Sequence, residues 1–245
     1  MNSCKKSSTD EIKERFSNDV ECFSNLQTGQ VSILDAKIMF EIGTETAKRL
    51  APNAKNILDL GCGAGNWTLK MLEKIPNANC SLLDISQAML DKAKSRVSSA
   101  TKGTVNTLLG DMRTVELSCN SFDIIFAGAT LHHLRSDVEW KSVFLKIFNC
   151  LSSVGCFIIS DLVVQNNPLL TKYVYEGWSN YLEQTGGKNY CKQILELSGK
   201  EDTPRSVNFL TKTLCESGFS NVEVLHKNMC FALICAEKSV LNSNK

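Results

Sequence analysis

The chain has 245 residues, of which 43% are hydrophobic and 22% are charged, the composition of an ordinary globular protein large enough to bury a core. Its net charge of +1 provides no overall field that would favour nucleic acid or an anionic membrane, so the charge indicates neither partner. No run of 18 apolar residues occurs, and the sequence therefore predicts no membrane span.

Eleven cysteines are scattered along the chain, and no two of them have the C-x-x-C spacing of a metal or redox site. The three histidines do not combine with the cysteines in a zinc pattern, so we expect no metal. The first residues lack the apolar core of a secretory signal. Together with the odd number of cysteines, this start predicts a reduced, cytoplasmic protein.

The predicted elements alternate between strands and helices after an N-terminal helical segment, residues 1–50, which has a break near "NLQTGQ". Within residues 51–164, strands are predicted at "NILDL", "CSLLD", "VNTLLG", "FDIIFAGA" and "GCFIISDLVV". Helices are predicted between them at "WTLKMLEKI", "SQAMLDKAKSRV" and "DVEWKSVFLKIFNCL". This alternation is typical of a parallel sheet with helices on both faces.

The alternation stops after Pro168, and residues 165–205 are predicted to form two helices and a loop. Residues 206–240 are predicted as a helix that ends at Gly218, followed by the strands "NVEVLH" and "CFALICAEK". The short "KNM" link between these strands indicates an antiparallel pair. The sequence therefore predicts a doubly wound α/β domain with a mostly parallel seven-stranded sheet, its last strand antiparallel. Residues 1–50 and 165–205 are expected to form a helical cap.

Three glycines, Gly61, Gly63 and Gly65, follow the first predicted strand in "ILDLGCGAGNW". Such a turn is where α/β proteins bind nucleotides, because bare backbone approaches the ligand closely. The third glycine comes one position too early for the dinucleotide pattern G-x-G-x-x-G, so a nicotinamide cofactor fits poorly. Asp59, at the end of the strand, would repel a pyrophosphate and attract a cationic group. A nucleoside with a cationic amino acid tail, S-adenosylmethionine (SAM), fits both features.

This stretch resembles the first motif of the class I SAM-dependent methyltransferases, and four later segments resemble the following motifs in the correct order. "LLDIS" resembles the second motif, whose acid, here Asp84, holds the ribose hydroxyls. "LLGDM" resembles the third, in which Asp111 faces the adenine amino group and Met112 lies near the ring. "FDIIFAGATLHHL" and "LSSVGCFIISDL" resemble the fourth and fifth, so the match runs from about residue 55 to 161. The cofactor-binding residues expected from the resemblance are Asp59, Gly61, Cys62, Gly63, Gly65, Asp84, Ile85, Asp111, Met112 and Ala127.

The resemblance implies transfer of a methyl group from SAM, which leaves S-adenosylhomocysteine. His132 and His133 follow the fourth strand and are the candidate catalytic residues, because a histidine there can take a proton from the acceptor. The alternative is that they only pack or position, since a nucleophilic acceptor needs alignment more than acid–base help.

The predicted cap contributes the candidate substrate contacts Tyr173, Tyr175, Trp178 and Arg205. The aromatic side chains have helical spacing, so they form either a lid over the substrate or a packing surface between cap and core. Arg205 would either pair with an acidic substrate group or lie on the surface.

A small-molecule acceptor is favoured, because no N-P-P-Y-like signature of amine methylation in DNA follows the fourth strand. Nucleic acid is not indicated, and the sequence predicts no oligomeric state. "ERFSNDVECFSNLQTGQ" and "GFSNVEVLHKNMCFALICAEK" are distantly similar to the carboxy-SAM synthase branch, which modifies SAM for tRNA wobble uridine. A carboxy-SAM synthase-like enzyme is therefore one alternative, with Arg205 as the only candidate for its carboxylate. A non-catalytic SAM-binding subunit is the other.

Overall fold

The structure is a computed structural model that describes residues 5–25 and 29–238. Part of the predicted break at "NLQTGQ" and the end of the predicted 206–240 segment lie outside these residues. The helices are α1 (Thr9–Asn18), α2 (Val20–Ser24), α3 (Ala36–Leu50), α4 (Asn66–Leu72), α5 (Gln87–Ser98), α6 (Asp137–Cys150), α7 (Pro168–Glu201) and α8 (Val207–Glu216). The strands are β1 (Asn56–Leu60), β2 (Asn79–Asp84), β3 (Val105–Leu109), β4 (Phe122–Gly128), β5 (Leu151–Val164), β6 (Arg205–Ser206), β7 (Ser220–Asn228) and β8 (Phe231–Glu237).

The main sheet has the strand order β3-β2-β1-β4-β5-β8-β7. Strand β8 is antiparallel to both of its neighbours, and every other pair along this path is parallel. This arrangement confirms the predicted mostly parallel, seven-stranded sheet with an antiparallel last strand. The short strand β6 pairs with the end of β5 at Val163 and Val164 and was not predicted.

Helices cover both faces of the sheet because its central strands are apolar on both sides. In β1, Ile57 belongs to one buried cluster and Leu58 to the other. The Ile57 face packs under α3, α4, α5 and α7, and the Leu58 face packs under α6 and α8. Among the described residues, no helix combines the length and apolarity needed to cross a membrane.

The helical cover differs from the predicted cap at α3 and agrees with it at α7. Helix α3 lies within predicted segment 1–50, but its residues Met39, Phe40 and Ala47 are buried in the core of the sheet domain. Helix α7 agrees with the predicted two helices, because it consists of two helical parts that meet at a kink at Gly187, where φ is 80° and ψ is 175°. The cover over the carboxyl edge of the sheet therefore comes from α1, α2 and the second half of α7.

Candidate active site

A cavity lies at the carboxyl ends of β1, β2, β3 and β4, where the strand order reverses direction and where open α/β sheets bind their ligands. The loops that follow these strands form one wall. Helix α1, residues 29–33 and the second half of α7 form the opposite wall. The cavity thus has a half made by the sheet edge and a half made by the helical cover.

The glycine loop after β1 is held open by an acid at the end of β2. The amide N–H of Gly63 donates to Asp84 Oδ2 at 2.9 Å, and that of Ser86 donates to Asp84 Oδ1 at 2.9 Å. Gly63 has a φ of 49°, and a Cβ placed there would meet nothing within 4 Å. At this position glycine supplies a backbone conformation that L side chains rarely adopt and leaves space for a ligand.

Most of the predicted cofactor residues line the sheet half of the cavity: Gly61, Cys62, Gly63, Asp84, Ile85, Asp111 and Met112. Asp59, Gly65 and Ala127 do not line it. Gly65 is the N-cap of α4, and its φ of 83° sets the direction of the turn into that helix. Ala127 is buried within β4. Burial raises the pKa of the Cys62 thiol well above its usual range, so this thiol has no acid–base role at neutral pH.

Asp59 supports the loop from below instead of facing the cavity. Its Oδ2 accepts hydrogen bonds from the amide and the hydroxyl of Thr68 in α4, at 3.2 and 2.7 Å. Its Oδ1 is buried and has no hydrogen-bond partner among the described residues. Burial raises the pKa of Asp59 to about 6, although the bonds from Thr68 oppose that rise. Asp59 therefore acts on a ligand only through the loop that it supports.

Asp111 is already paired. Its two oxygens accept from the amide and the guanidinium of Arg113, with distances of 2.8 to 3.0 Å for the amide and Nε. Burial alone would raise the pKa of Asp111, but the hydrogen bonds from Arg113 outweigh it and lower that pKa. Asp111 therefore has fewer acceptor sites for an adenine amino group than Asp84 has for ribose hydroxyls.

His132 and His133 lie in a 3-10 turn (Leu131–His133) after β4, and both line the cavity. Asp161 at the end of β5 accepts from the amides of Leu131 and His132, at 2.9 and 3.2 Å, and is hydrogen-bonded to His132 Nδ1. His132 Nε2 then lies 3.5 Å from Asp202 Oδ1. Burial would lower the pKa of His132, but Asp161 and Asp202 raise it to about 9. For His133, burial and the neighbouring His132 lower the pKa well below its usual value.

The helical half of the cavity is held together by two arginines. Arg15 of α1 donates to both carboxylate oxygens of Glu201 at the end of α7, at 2.7 and 2.6 Å. Arg135 donates to the Glu201 carbonyl, to Thr203 Oγ1 at 3.1 Å and to the Ser7 carbonyl at 3.2 Å. These bonds tie α1, the turn after β4 and the end of α7 into one wall.

Three of the four predicted substrate contacts lie outside the cavity. Tyr173 is 64% exposed, Tyr175 packs against the core, and neither lines the cavity. Arg205 bonds to Asp137 Oδ1 at 3.1 Å and to the Arg135 carbonyl at 3.1 Å, so it anchors the start of α6 outside the cavity. Trp178 does line the cavity, and its indole N–H donates to the Ser32 carbonyl at 2.8 Å.

The sequence did not indicate several polar residues of the site, among them Arg15, Arg135, Asp161, Glu201 and Asp202. The position of Asp161 could have been predicted, because it is an acid near the end of a buried strand, as Asp84 is. Arg15 and Asp202 carry none, since they reach the site from helices whose packing the local pattern does not reveal.

Comparison with known proteins shows which proteins this chain resembles. Residues 57–155 match the family described as "Methyltransferase domain". The chain is 26% identical over 199 residues to demethylmenaquinone methyltransferase of Listeria monocytogenes serotype 4a (strain HCC23), which covers 79% of this chain and 82% of that protein. It is 28% identical over 236 residues to carboxy-S-adenosyl-L-methionine synthase of Campylobacter fetus subsp. fetus (strain 82-40), with 93% and 96% covered.

Solved structures share the fold at low sequence identity. The 1,6-didemethyltoxoflavin-N1-methyltransferase of Burkholderia thailandensis, solved with 1,6-didemethyltoxoflavin and S-adenosylhomocysteine bound, superposes with a TM-score of 0.63 at 12% identity. That comparison covers 97% of this chain and 93% of the Burkholderia chain. Three larger solved chains also match, and this chain spans 60%, 57% and 63% of their lengths.

Proposed function

We propose that this chain is a class I SAM-dependent methyltransferase, with SAM as its cofactor, and that it methylates a small organic molecule. The observation that carries the proposal is a single cavity in which the expected cofactor residues share a space with a separate, partly apolar half. When bound, SAM supplies a methyl group attached to a positively charged sulfur. The residues of the chain bind the two reactants, align them and exclude water.

The sheet half of the cavity is the proposed cofactor site. Asp84 has acceptor capacity left for ribose hydroxyls after its bonds to Gly63 and Ser86, because two carboxylate oxygens offer about four acceptor positions. Met112 and Ile85 offer apolar surface to the adenine. Asp59 acts on the cofactor only through Thr68 and the shape of the loop.

The helical half is the proposed acceptor site. Ile12, Phe16, Leu162 and Trp178 give it apolar surface, and the polar end contains His132, His133 and Asp202. An acceptor with an apolar body and one polar group fits such a surface. We propose that the polar end orients the atom that receives the methyl group, a role consistent with alignment as the main catalytic contribution.

The identity of the bound ligand tests the proposal against its alternatives. The protein is purified without added cofactor, denatured, and the released small molecules are identified by mass spectrometry. We expect SAM or S-adenosylhomocysteine. A carboxylated SAM would favour the carboxy-SAM synthase alternative, for which the relative covering 93% of this chain is the supporting observation. A nicotinamide cofactor would contradict the family assignment of the site.

Asp84→Asn is expected to weaken SAM binding at least tenfold, since a hydrogen bond to a charged acceptor contributes about 1.5–3 kcal/mol. Asp111→Asn is expected to weaken it less, because Arg113 already occupies both oxygens of Asp111. Titration calorimetry with SAM measures both, and Asp91→Asn, at an exposed position of α5, is the control. Thermal melts show whether each variant is folded. Unchanged affinity in folded Asp84→Asn would refute the ribose assignment.

The class of acceptor is tested with a fractionated cell extract. The small-molecule filtrate and the retained macromolecules are each incubated with the protein and SAM, and the formation of S-adenosylhomocysteine is followed. Turnover is expected with the filtrate. Turnover only with the retained fraction would overturn the small-molecule proposal. A non-catalytic subunit would bind SAM and give turnover with neither fraction. The proposed setting is the reducing cytoplasm, and the support is that nine described cysteines between Cys62 and Cys235 are free thiols.

A further inference from the structure

Three potential metal ligands converge at the polar end of the cavity. One ligand atom each from His132, His133 and Asp202 lies within 4.8 Å of the other two. Asp202 Oδ1 is 3.5 Å from His132 Nε2 and 3.6 Å from His133 Nδ1. Two ligands bound tetrahedrally to one ion at about 2.1 Å lie roughly 3.4 Å apart, so these two separations are close to those of a shared ion.

His133 gives an independent sign that a partner is required there. Both of its ring nitrogens are buried, and neither has a hydrogen bond of normal length and angle among the described residues, although the Glu201 backbone lies close enough to interact with the ring. The ring packs edge-on against Phe16 at a centroid distance of 5.9 Å, which adds apolar contact and no hydrogen bond. A buried imidazole without good hydrogen bonds is unfavourable, and a bound ion is one of the few explanations for such a group in a folded protein.

His132 is oriented as a metal-binding histidine usually is. Its Nδ1 is hydrogen-bonded to the carboxylate of Asp161, which directs Nε2 towards Asp202. Metal-binding histidines commonly place their second ring nitrogen against a carboxylate in this way, because the carboxylate fixes the ring and raises its basicity. Asp161 is itself held by the amides of Leu131 and His132, so the arrangement is rigid.

The charges around the cluster permit a cation. Asp161 and Asp202 face the two imidazoles, and the charge of Arg15 is balanced by its bidentate pair with Glu201. Arg135 is the remaining cation of the wall, and its guanidinium is directed at the Glu201 carbonyl and Thr203. Two imidazoles and one carboxylate are ligands preferred by zinc, iron, cobalt or nickel over magnesium or calcium, which bind oxygen.

We propose that His132, His133 and Asp202 bind one first-row divalent cation, of the zinc and iron class, at the polar end of the cavity. Three protein ligands leave at least one coordination position open, as in catalytic metal sites. All three side chains line the cavity, so that position is available to an oxygen atom of the acceptor. The metal site rests on its own geometry, and this contact with the acceptor rests on the proposed methyltransferase function.

Cobalt(II) is the probe, because its visible absorption reports the number and type of its ligands. The full-length protein, freed of metal with a chelator, is titrated with cobalt chloride, and bound metal is also counted by elemental analysis. We expect one cobalt per chain with the bands of a site containing nitrogen ligands, displaced by zinc. His133→Ala and Asp202→Asn are each expected to weaken binding at least tenfold.

His226→Ala is the matched control, since His226 also pairs with an acid, Asp35, at 2.9 Å but lies outside the cavity. It is expected to leave cobalt binding unchanged. Circular dichroism and SAM affinity establish that each variant is folded. Absence of stoichiometric binding, or equal binding by the wild type and both folded cavity variants, would overturn the metal site. If the wild type binds cobalt but neither binds SAM nor transfers a methyl group, the proposed function is wrong and the metal site still holds.

Discussion

Asp59 shows how one buried carboxylate combines structural support with a cost in stability. It is 1% exposed, and its bonds to Thr68 join the end of β1 to the start of α4. Because the pKa of Asp59 is raised in the folded protein to about 6, ionisation of Asp59 favours the unfolded chain. Its contribution to stability is therefore fully present below about pH 4 and is lost as the pH rises through 6.

Asp59→Asn is expected to remove this pH dependence. Between pH 4 and pH 7 the wild type should lose about 2 kcal/mol of stability relative to the variant, from a pKa difference of about two units between the folded and unfolded states. Urea denaturation at both pH values measures the difference, and Asp91→Asn on the exposed face of α5 serves as the reference. Parallel pH profiles of the wild type and Asp59→Asn would show that folding does not raise the pKa of Asp59.

At the residue scale, the sequence predicts the site where its signals are local. Gly61 and Gly63 follow β1 within three residues and Asp84 ends β2, so strand position alone brings them to one edge. Asp202 is different, because it reaches His132 through the packing of α7, and no spacing in the sequence encodes that packing. Arg205, a predicted substrate contact three positions later, is directed to α6 instead.

At the scale of elements, α7 owes its shape to a single glycine. Gly187 has φ 80° and ψ 175°, a backbone conformation that is essentially restricted to glycine. This break separates the first part of the helix, which packs Trp178 and Leu182 into the core, from the part that ends at Glu201 in the cavity wall. The direction of the second part, and with it the position of Glu201, depends on this one residue.

Gly187→Ala and Gly199→Ala, both at exposed positions of α7, are expected to act in opposite directions. Gly187→Ala should destabilise the protein by about 1–3 kcal/mol, because alanine is strained at this backbone conformation. Gly199→Ala should stabilise it by about 0.5–1 kcal/mol, since Gly199 lies in the helix and a Cβ there meets nothing within 4 Å. Thermal unfolding of both variants measures the effects. If Gly187→Ala leaves the free energy of unfolding unchanged, α7 can adopt a straight helical conformation at this position without strain.

Elements with strong periodicity are also those that the sequence predicts well. All five strands of the β1–β5 series and helix α6 follow from apolar runs and their turns. Strand β6 is two residues long and forms only by pairing with the end of β5, so no local sequence pattern predicts it. Helix α3 has an amphipathic pattern, but the pattern does not say whether its apolar face meets the sheet or a ligand cavity.

For the whole molecule, the cavity couples parts of the chain that are far apart in sequence. Helix α1 near the N-terminus, the turn after β4 and the end of α7 meet through Arg15, Glu201 and Arg135. A ligand that fills both halves would contact all three parts at once. Binding is therefore expected to stabilise the cover as well as the glycine loop.

S-adenosylhomocysteine at a hundred times its Kd is expected to stabilise the fold by about 2.7 kcal/mol, which raises the Tm of a chain of this size by about 5–10 °C. Hydrogen exchange should slow in the glycine loop, and adding a true acceptor should slow it in α1 and the end of α7. Helix α8, on the opposite face of the sheet, is the internal reference. If hydrogen exchange in α1 is unchanged with both ligands present, the helical cover does not form part of the acceptor site.

The bonds from Gly63 and Ser86 to Asp84 have a thermodynamic consequence for the cofactor. Because this acid holds the loop in shape before any ligand arrives, the entropic cost of ordering the loop is met during folding and not during binding. The cofactor half is thus preorganised. Affinity there depends on the contacts made with the ligand, with no contribution lost to closing a loop around it.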